Sequence, residues 1–364
     1  MPLIWAAISA HGFGHAAQVV PVLNALGRLV PDLRVLLRTT VPASFFEDRL
    51  EIPWELSAVP QDVGCIQNGP LAIDTEATWL EHARFHATWA ERIQAEVQAM
   101  RAEGPDAILA DTPYLAVAAG AEAAIPAIAL VSLTWDLILS DYPAPPHIDR
   151  QSLLQSIRQA YARADVALRI TPAPKLESFA RIIDIGPIAE PATPAREQLG
   201  TVLGLAPGER TVLVGFGGIP LTWLPFANLE RLTGYRFLFD GATPPESRRS
   251  LCVKSLPFSF KTLLASVDIV ISKPGYSTLV EAVALGRPLV YVRRFNFGDE
   301  PSLVDHLHQY GRGVQLSLQD FTEGRWEAAL SRVIALPLPT LRPPPSTGAE
   351  EAARYVRKLL RETA

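Results

Sequence analysis

Apolar residues along the chain fall into two alternating kinds of run. Short runs rich in Val, Ile and Leu predict buried strands, whereas runs with apolar residues three or four positions apart predict amphipathic helices. Strands that alternate with helices are typical of an α/β protein with parallel sheets. The predicted strands are 3–10, 34–38, 106–110, 127–131, 166–170, 211–214, 235–239, 252–256, 267–272 and 289–292. The predicted helices include 19–29, 76–101, 115–124, 152–164, 258–265, 302–310 and 349–360.

A proline-rich stretch interrupts this alternation near the middle of the chain. The segment 186–194, GPIAEPATP, has no apolar periodicity, and regular patterning resumes after it, so we interpret it as a linker. A chain of 364 residues is also long for one domain. We therefore expect an N-terminal domain at 1–187, a linker at 188–196, a C-terminal domain at 197–345, and a C-terminal helix at 346–364 that packs across both.

The stretch 267–294 predicts a strand, a tight turn at Lys273 to Gly275, a helix and a second strand. In open parallel sheets ligands lie outside the carboxyl ends of the strands, where helix N-termini present free N–H groups to anions. We expect a phosphate at 275–278. Glu281 has two interpretations, as the end of a Thr278-x-x-Glu281 capping box or as an acceptor for a ribose diol, and the spacing alone slightly favours the cap.

A Gly-His turn, HGFGH, follows the first predicted strand. It places His15 at a helix N-terminus, which disfavours imidazolium and makes a neutral base near pH 7 plausible. His11 and His15 have the spacing of a metal pair, but no third ligand is near, so we expect no metal site. A single histidine is more often structural than catalytic. Asp111, after another strand, either orients His15 as in a catalytic triad or caps the next helix.

Two further loops follow predicted strands. The glycine-lined turn Gly215 to Gly218 offers N–H groups to a phosphate, although such a loop is weak evidence alone. Asp299 and Glu300 precede the helix at 302–310, where either residue can cap the helix, contribute a first-turn charge, or accept hydrogen bonds from sugar hydroxyls.

Composition limits the partners. The net charge of −5 arises from 33 basic and 38 acidic residues without long runs of either sign, so nucleic-acid binding is not expected. Cys65 and Cys252 have neither metal nor redox spacing, which fits a reducing compartment. No apolar run predicts a membrane span, and we expect a soluble, cytoplasmic protein. The irregular loops 57–74 and 140–150 leave peripheral membrane contact open, although no basic amphipathic helix supports it.

These motifs together resemble the GT-B glycosyltransferases, in which two Rossmann-like domains face each other across a cleft. Within that superfamily the chain resembles the branch of the peptidoglycan lipid-intermediate N-acetylglucosaminyltransferase and the plant galactolipid synthases. It is also similar to the glycosyltransferase-like N-terminal half of plant L-arabinokinase, whose kinase half has no counterpart here. The resemblance spans nearly the whole chain and is carried by the turn GFGG and by the segments HGFGHA (11–16), TWDLILSDY (134–142), FSFKTLLASVDIVISKPGYSTLVEA (258–282) and YVRRFNFGDEP (291–301).

The resemblance implies metal-independent, inverting transfer of a sugar from a nucleotide sugar, usually a UDP sugar, to an acceptor hydroxyl on a lipid, small molecule or glycan. His15 would be the general base and Asp111 its partner. Glu281 would bind the ribose, the backbone near Leu256 the base, and Asp299 and Glu300 the sugar. The full set of expected donor-binding residues is Gly14, Gly217, Gly218, Leu256, Ser272, Lys273, Gly275, Tyr276, Ser277, Glu281, Asp299 and Glu300.

One departure and two alternatives stay open at this stage. The Asp299-Glu300 pair stands where many members have an acidic residue followed by Gln, so the sugar is not defined. A hydrolase or epimerase of nucleotide sugars would use the same fold without transfer to an acceptor. A non-catalytic nucleotide-sugar-binding module is the second alternative, and the presence of both His15 and Asp111 argues mildly against it.

Overall fold

Two separate parallel sheets divide the chain in the computed structural model, which describes residues 1–190, 192–218, 224–241, 243–244 and 246–362. Within the described residues, the first sheet has the order β3-β2-β1-β4-β5-β6-β7. Its strands are β1 (Leu3–Ile8), β2 (Arg34–Arg38), β3 (Trp54–Ser57), β4 (Ala107–Asp111), β5 (Ala127–Val131), β6 (Val166–Ile170) and β7 (Ile182–Ile185). The helices around it are α1 (Gly14–Leu29), α2 (Thr75–Ala87), α3 (Trp89–Glu103), α4 (Tyr114–Ala123), α5 (Trp135–Ser140) and α6 (Arg150–Tyr161).

The second sheet, over the same described ranges, has the order β10-β9-β8-β11-β12-β13. Its strands are β8 (Arg210–Val214), β9 (Tyr235–Phe239), β10 (Ser250–Cys252), β11 (Ile269–Ser272), β12 (Leu289–Tyr291) and β13 (Gly313–Gln315). The remaining helices are α7 (Arg196–Leu203), α8 (Phe226–Leu229), α9 (Phe260–Ser266), α10 (Tyr276–Ala284), α11 (Glu300–Tyr310), α12 (Leu318–Glu323), α13 (Glu327–Ala335) and α14 (Gly348–Glu362). The predicted linker at 188–196 lies between the two sheets, although its Pro191 falls outside the described residues.

Buried strands explain why the chain forms two layered α/β units. Every residue of β1, β4, β5 and β11 is buried, as expected for parallel strands covered by helices on both faces. Each sheet therefore aligns the carboxyl ends of its strands along one edge, where the loops are free to carry polar side chains. Among the described residues, no helix has both the length and the apolar character needed to cross a membrane.

The C-terminal helix α14 returns to the first domain. It packs mainly on α1 and β7, and its buried face consists of small and aliphatic residues such as Ala352 and Val356. The Gly348 N–H donates to the Pro187 carbonyl at 3.1 Å. A Cβ at Gly348 would lie 2.0 Å from the Gly186 oxygen, so the two backbone segments are closely packed. The predicted packing across both domains is thus replaced by packing chiefly on the N-terminal one.

Several predicted boundaries were wrong. The helix predicted at 76–101 is two helices, α2 and α3, because Thr88 leaves the helical conformation at φ −119° and ψ 34°. Arg92 Nε donates to the Phe85 carbonyl at 3.1 Å and to the Thr88 hydroxyl at 3.0 Å, so the end of α2 has hydrogen-bond partners where the helix is interrupted. The predicted strand at 252–256 is β10, ending at Cys252, followed by a 3₁₀ turn at Val253–Ser255. The strands β3, β7 and β13 were not predicted.

Candidate active site

A cavity of about 410 Å³ opens where loops from the two sheets face each other. The N-terminal wall is formed by the turn 11–15 after β1 and by residues after β5, and the C-terminal wall by turns after β8, β9, β11 and β12. Of the predicted donor-binding and catalytic residues, the structure places these along the cavity: Gly14, His15, Gly217, Gly218, Ser272, Lys273, Gly275, Tyr276, Ser277, Glu281 and Asp299. The predicted residues are thus largely brought together in one cleft.

His15 and Asp111 form a buried hydrogen-bonded pair. His15 lies in the first turn of α1, and Asp111 ends β4, the strand paired with β1. The His15 Nδ1–H donates to Asp111 Oδ1 at 2.8 Å, and the Thr112 hydroxyl donates to the same oxygen at 3.0 Å. The carboxylate cannot donate, so it fixes the proton on Nδ1. In the neutral imidazole the opposite nitrogen, Nε2, is therefore the one without a proton, and His15 lines the cleft.

The electrostatic balance makes His15 a stronger base than an isolated imidazole. Burial by itself would lower the pKa of His15, but the charge of Asp111 and its hydrogen bond, together with the charges of Asp62 and Asp299, outweigh burial, so the pKa is raised above its ordinary value. The expected effect of the helix N-terminus, which disfavours imidazolium, is therefore outweighed. Asp111 is wholly buried, and its carboxylate accepts hydrogen bonds from His15 and Thr112. It does not cap the following helix α4, which has no side-chain cap.

Two glycine turns face this pair from the C-terminal domain. Gly217 and Gly218 have φ of 72° and 80°, values that favour glycine. A Cβ at Gly218 would lie 2.4 Å from the Phe13 ring, so a side chain there would collide with the N-terminal domain. Gly275 is the N-cap of α10 and provides no side-chain cap, so the first N–H groups of that helix remain available to an anion.

Glu281 lines the cleft from the second turn of α10. Its carboxylate is largely buried, which raises its pKa to about 7, and its Oε1 lies 4.0 Å from Lys261 Nζ. The capping-box interpretation was wrong, because Gly275 is the N-cap and Thr278 lies inside the helix. A carboxylate buried in a cleft and not used as a cap is suited to accepting hydrogen bonds from a diol.

Asp299 and Glu300 have different surroundings. Asp299 lines the cleft and is 4% exposed, and its Oδ1 has no hydrogen-bond partner among the described residues. Burial raises the pKa of Asp299 to about 7. Glu300 is wholly buried behind the wall and accepts from Arg294 Nε at 2.8 Å and from the Arg294 and Phe295 N–H groups at 3.2 and 3.4 Å. The expected contact of Glu300 with sugar hydroxyls is therefore corrected to a role in shaping the 293–300 loop.

Leu256 lies outside the residues that line the cavity, and its N–H donates to the Val253 carbonyl at 3.1 Å. The expected contact between the chain near Leu256 and the nucleotide base stays a prediction. Several residues that line the cleft were not predicted as site residues, among them Arg49, Asp240, Phe260, Lys261 and Arg294. Asp240 had a signal, since it follows a predicted strand directly. Phe260, Lys261 and Arg294 lie in the segments 258–282 and 291–301 that carry the resemblance, although neither segment marks them as cleft residues, and Arg49 belongs to no motif.

His11 belongs to the N-terminal wall and to the contact between domains. Its Nδ1 accepts from the Cys65 N–H at 3.2 Å, and its ring stacks on Phe297 with 6.1 Å between centroids and 9° between planes. Burial lowers the pKa of His11 well below its ordinary value. Among the described residues, no group of three or more His, Cys, Asp and Glu side chains is arranged to hold a metal ion.

Direct hydrogen bonds join the two walls beside the cleft. The Phe13 N–H donates to the Gly217 carbonyl at 3.4 Å, and the Ser277 hydroxyl donates to the Gly14 carbonyl at 3.2 Å. The Tyr276 hydroxyl donates to the Thr171 carbonyl at 2.7 Å and accepts from the Ile188 N–H at 3.2 Å. Tyr276 thus ties the glycine turn to the crossover between the domains, a role that the sequence did not predict.

Comparison with known proteins gives one sequence relative and many structural ones. No family model matches the chain. The chain is 27% identical over 335 residues to L-arabinokinase of Arabidopsis thaliana, a match covering 90% of this chain and 32% of that protein. The chain therefore spans about a third of the length of the curated relative.

Among solved structures, Medicago truncatula UGT71G1 complexed with UDP-glucose has a TM-score of 0.61 at 12% identity, covering 100% of this chain and 98% of that one. Phytolacca americana UGT2 complexed with UDP-2fluoro-glucose and pterostilbene has a TM-score of 0.59 at 16% identity, covering 100% and 94%. The calicheamicin glycosyltransferase CalG4 has a TM-score of 0.60 at 17% identity, covering 99% and 94%. The chain therefore has the two-domain GT-B fold found in these glycosyltransferases.

Proposed function

We propose that this protein is a glycosyltransferase that moves a sugar from a nucleotide sugar to an acceptor hydroxyl, with inversion at the anomeric carbon. The observation that carries the proposal is the buried His15–Asp111 pair, joined at 2.8 Å, facing two glycine turns across one cleft. Solved structures with the same fold support this chemistry, because they include proteins complexed with UDP sugars. The acceptor class, whether lipid, small molecule or glycan, is not defined by the cleft.

The reaction is a direct displacement. His15 Nε2 takes the proton of the acceptor hydroxyl while the acceptor oxygen forms a bond to the anomeric carbon from the face opposite the leaving group. The bond from that carbon to the diphosphate oxygen breaks, and its electron pair leaves with the diphosphate. Asp111 holds the imidazole in the tautomer that leaves Nε2 unprotonated and stabilises the imidazolium that forms.

The leaving diphosphate is stabilised by groups of the C-terminal wall, and the proposed reaction requires no metal. We expect the N–H groups at Gly217 and at the start of α10 to donate to the diphosphate, and the α10 dipole adds a partial positive charge. Lys273 lines the cleft beside Gly275, 3.7 Å from where a Cβ there would lie. Burial lowers the pKa of Lys273 to about 7, and a bound diphosphate would favour its charged form.

The test is the substitution His15→Ala, assayed for nucleoside diphosphate release against a panel of nucleotide sugars and acceptors. Loss of a general base should lower turnover by about a hundred-fold to ten-thousand-fold, while affinity for the nucleoside diphosphate is unchanged. The exposed His147→Ala is the matched control. Equal turnover in the His15→Ala and wild-type proteins would refute the proposal. Rapid stoichiometric release of free sugar without acceptor would instead favour a hydrolase.

A further inference from the structure

The order of strands in the second sheet defines a direction along the cleft. The Gly217 turn follows β8 and the Gly275 turn follows β11, and these are neighbouring strands. Asp299 follows β12 on one side, close enough to His15 for its charge to raise the pKa of that histidine. On the other side of β8 lies β9, and Asp240 is the first residue after it. If the diphosphate lies on the two glycine turns and the sugar lies near His15, as the proposed function requires, the base lies over the end of β9.

The ribose position supports the same direction. Glu281, the candidate ribose acceptor, lies within 4.0 Å of Lys261, which belongs to α9. That helix follows β10, the outermost strand beyond β9. The nucleoside therefore extends from the glycine turns toward the β9 and β10 edge of the sheet, away from Asp299.

An aromatic ring and a carboxylate form this end of the cleft. Phe260 and Asp240 both line the cavity, and both lie next to the position that a Cβ at Gly215 would occupy. A Cβ at Gly215 would be 2.9 Å from Phe260 ring atoms and 3.8 Å from the Asp240 Cβ. Phe260 offers a flat apolar face on which a base can stack. The structure thus provides a stacking surface with one charged acceptor beside it.

The Asp240 carboxylate has no hydrogen-bond donor among the residues that the structure describes. Its backbone is fixed, because its N–H donates to the Val214 carbonyl at 3.0 Å. Its side chain makes no hydrogen bond and no ion pair with any other residue that the structure describes, and Lys254 acts on it only through its charge. Asp240 is only partly buried and lines the cleft, so its carboxylate is accessible to N–H groups of a ligand.

We propose that Asp240 selects the base of the donor and that this base is guanine. Guanine presents two adjacent donors on one edge, its N1–H and its exocyclic amino group, and a carboxylate accepts from both at once. Uracil and thymine present a single N–H between two carbonyl oxygens, which a carboxylate repels. Adenine and cytosine place a ring-nitrogen acceptor beside their amino group. The donor is then a GDP sugar in place of the UDP sugar that the resemblance suggests.

The test is calorimetric titration of GDP, UDP, dTDP, ADP, CDP and xanthosine diphosphate into the wild-type protein and into Asp240→Asn. GDP should bind the wild-type protein about ten-fold to a hundred-fold more tightly than the other diphosphates, as expected for hydrogen bonds to a charged group. In Asp240→Asn the preference should pass to xanthosine diphosphate, because xanthine has a carbonyl where guanine has its amino group. The amide oxygen of the substituted side chain would accept from the N1–H of xanthine, and the amide N–H would donate to that carbonyl. Asp305→Asn, exposed on α11, is the control and should keep the wild-type ranking.

The outcomes separate this inference from the proposed function on which it rests. If UDP binds the wild-type protein most tightly, or if Asp240→Asn folds and keeps the ranking for GDP, the guanine assignment is wrong while nucleotide-sugar transfer stands. If no nucleoside diphosphate binds, both fail. The wild-type ranking decides the assignment even if Asp240→Asn does not fold.

Discussion

Asp111→Asn tests how the buried carboxylate controls the base. The substitution keeps the size of the side chain and removes its charge from a site where His15 Nδ1 lies 2.8 Å away. Burial is the largest single effect on the pKa of His15 and lowers it, but the charge of Asp111, its hydrogen bond and the charges of Asp62 and Asp299 together raise the pKa above its ordinary value. Without that charge, burial dominates, and we expect the pKa of His15 to fall below its ordinary value. The imidazole also loses the acceptor that fixes its tautomer.

The expected loss of turnover follows from the interactions between His15 and Asp111. A hydrogen bond to a charged group contributes about 1.5–3 kcal/mol, and two unit charges about 4 Å apart interact by about 4 kcal/mol at an effective dielectric constant near 20. The imidazolium that forms during transfer would lose this stabilisation. Since about 1.4 kcal/mol corresponds to ten-fold in rate, turnover should fall by about ten-fold to just under a thousand-fold.

Two measurements check this prediction. NMR titration of the imidazole resonances gives the pKa of His15, and nucleoside diphosphate release gives turnover. Asp136→Asn is the matched control, because Asp136 is also buried but accepts from the Ser178 hydroxyl at 2.7 Å, with no contact to His15. Its turnover should match the wild type. If the pKa of His15 and the turnover are both unchanged in Asp111→Asn, the pair has no role in activating the base.

Three further predictions concern binding, the domain junction and pH. Glu281→Gln should weaken nucleoside diphosphate binding by about ten-fold in calorimetry, and unchanged affinity would remove Glu281 from the ribose site. Tyr276→Phe leaves two partners in the domain junction unpaired and should lower the free energy of unfolding by about 1–3 kcal/mol in urea. Burial lowers the pKa of His82 from 6.5 to about 4, so the native state binds fewer protons than the unfolded state between those values. The contribution of His82 to the free energy of unfolding should therefore fall by about 3 kcal/mol as the pH drops from about 6.5 to about 4, and the difference between the wild-type and His82→Gln proteins should change by that amount over this range.

Most of the fold could be predicted because parallel strands buried on both faces are continuous apolar runs. The strands β1, β4 and β5 are fully buried and were all predicted. The edge strand β3 was missed because its four residues are only partly buried or exposed, so the sequence there mixes polar and apolar positions. Whether a long helical pattern forms one helix or two depends on tertiary contacts, which is why the break at Thr88 was not predicted.

The site was partly predictable for a similar reason. Residues at the carboxyl ends of parallel strands meet at one edge, which brings His15 and Asp111 together although they are 96 positions apart. Adjacent acidic residues in one loop could not be distinguished in this way. Asp299 and Glu300 differ only in which of them meets the N–H groups of Arg294 and Phe295, and that depends on the shape of the folded loop. Arg49 lines the cleft from the N-terminal domain without any motif to mark it.

The most direct test of the central claim is whether a diphosphate binds against the Gly275 turn. Gly275→Ala is structurally mild, because its φ is −113° and an added Cβ would meet no atom closer than 3.7 Å, yet the methyl group would occupy space beside the N–H groups of α10. Gly234→Ala, whose Cβ would meet nothing within 4 Å, is the control. Calorimetry with nucleotide sugars should show binding to the wild-type and Gly234→Ala proteins and a loss of about ten-fold or more in Gly275→Ala at unchanged thermal stability. Equal affinity in all three proteins would contradict the account.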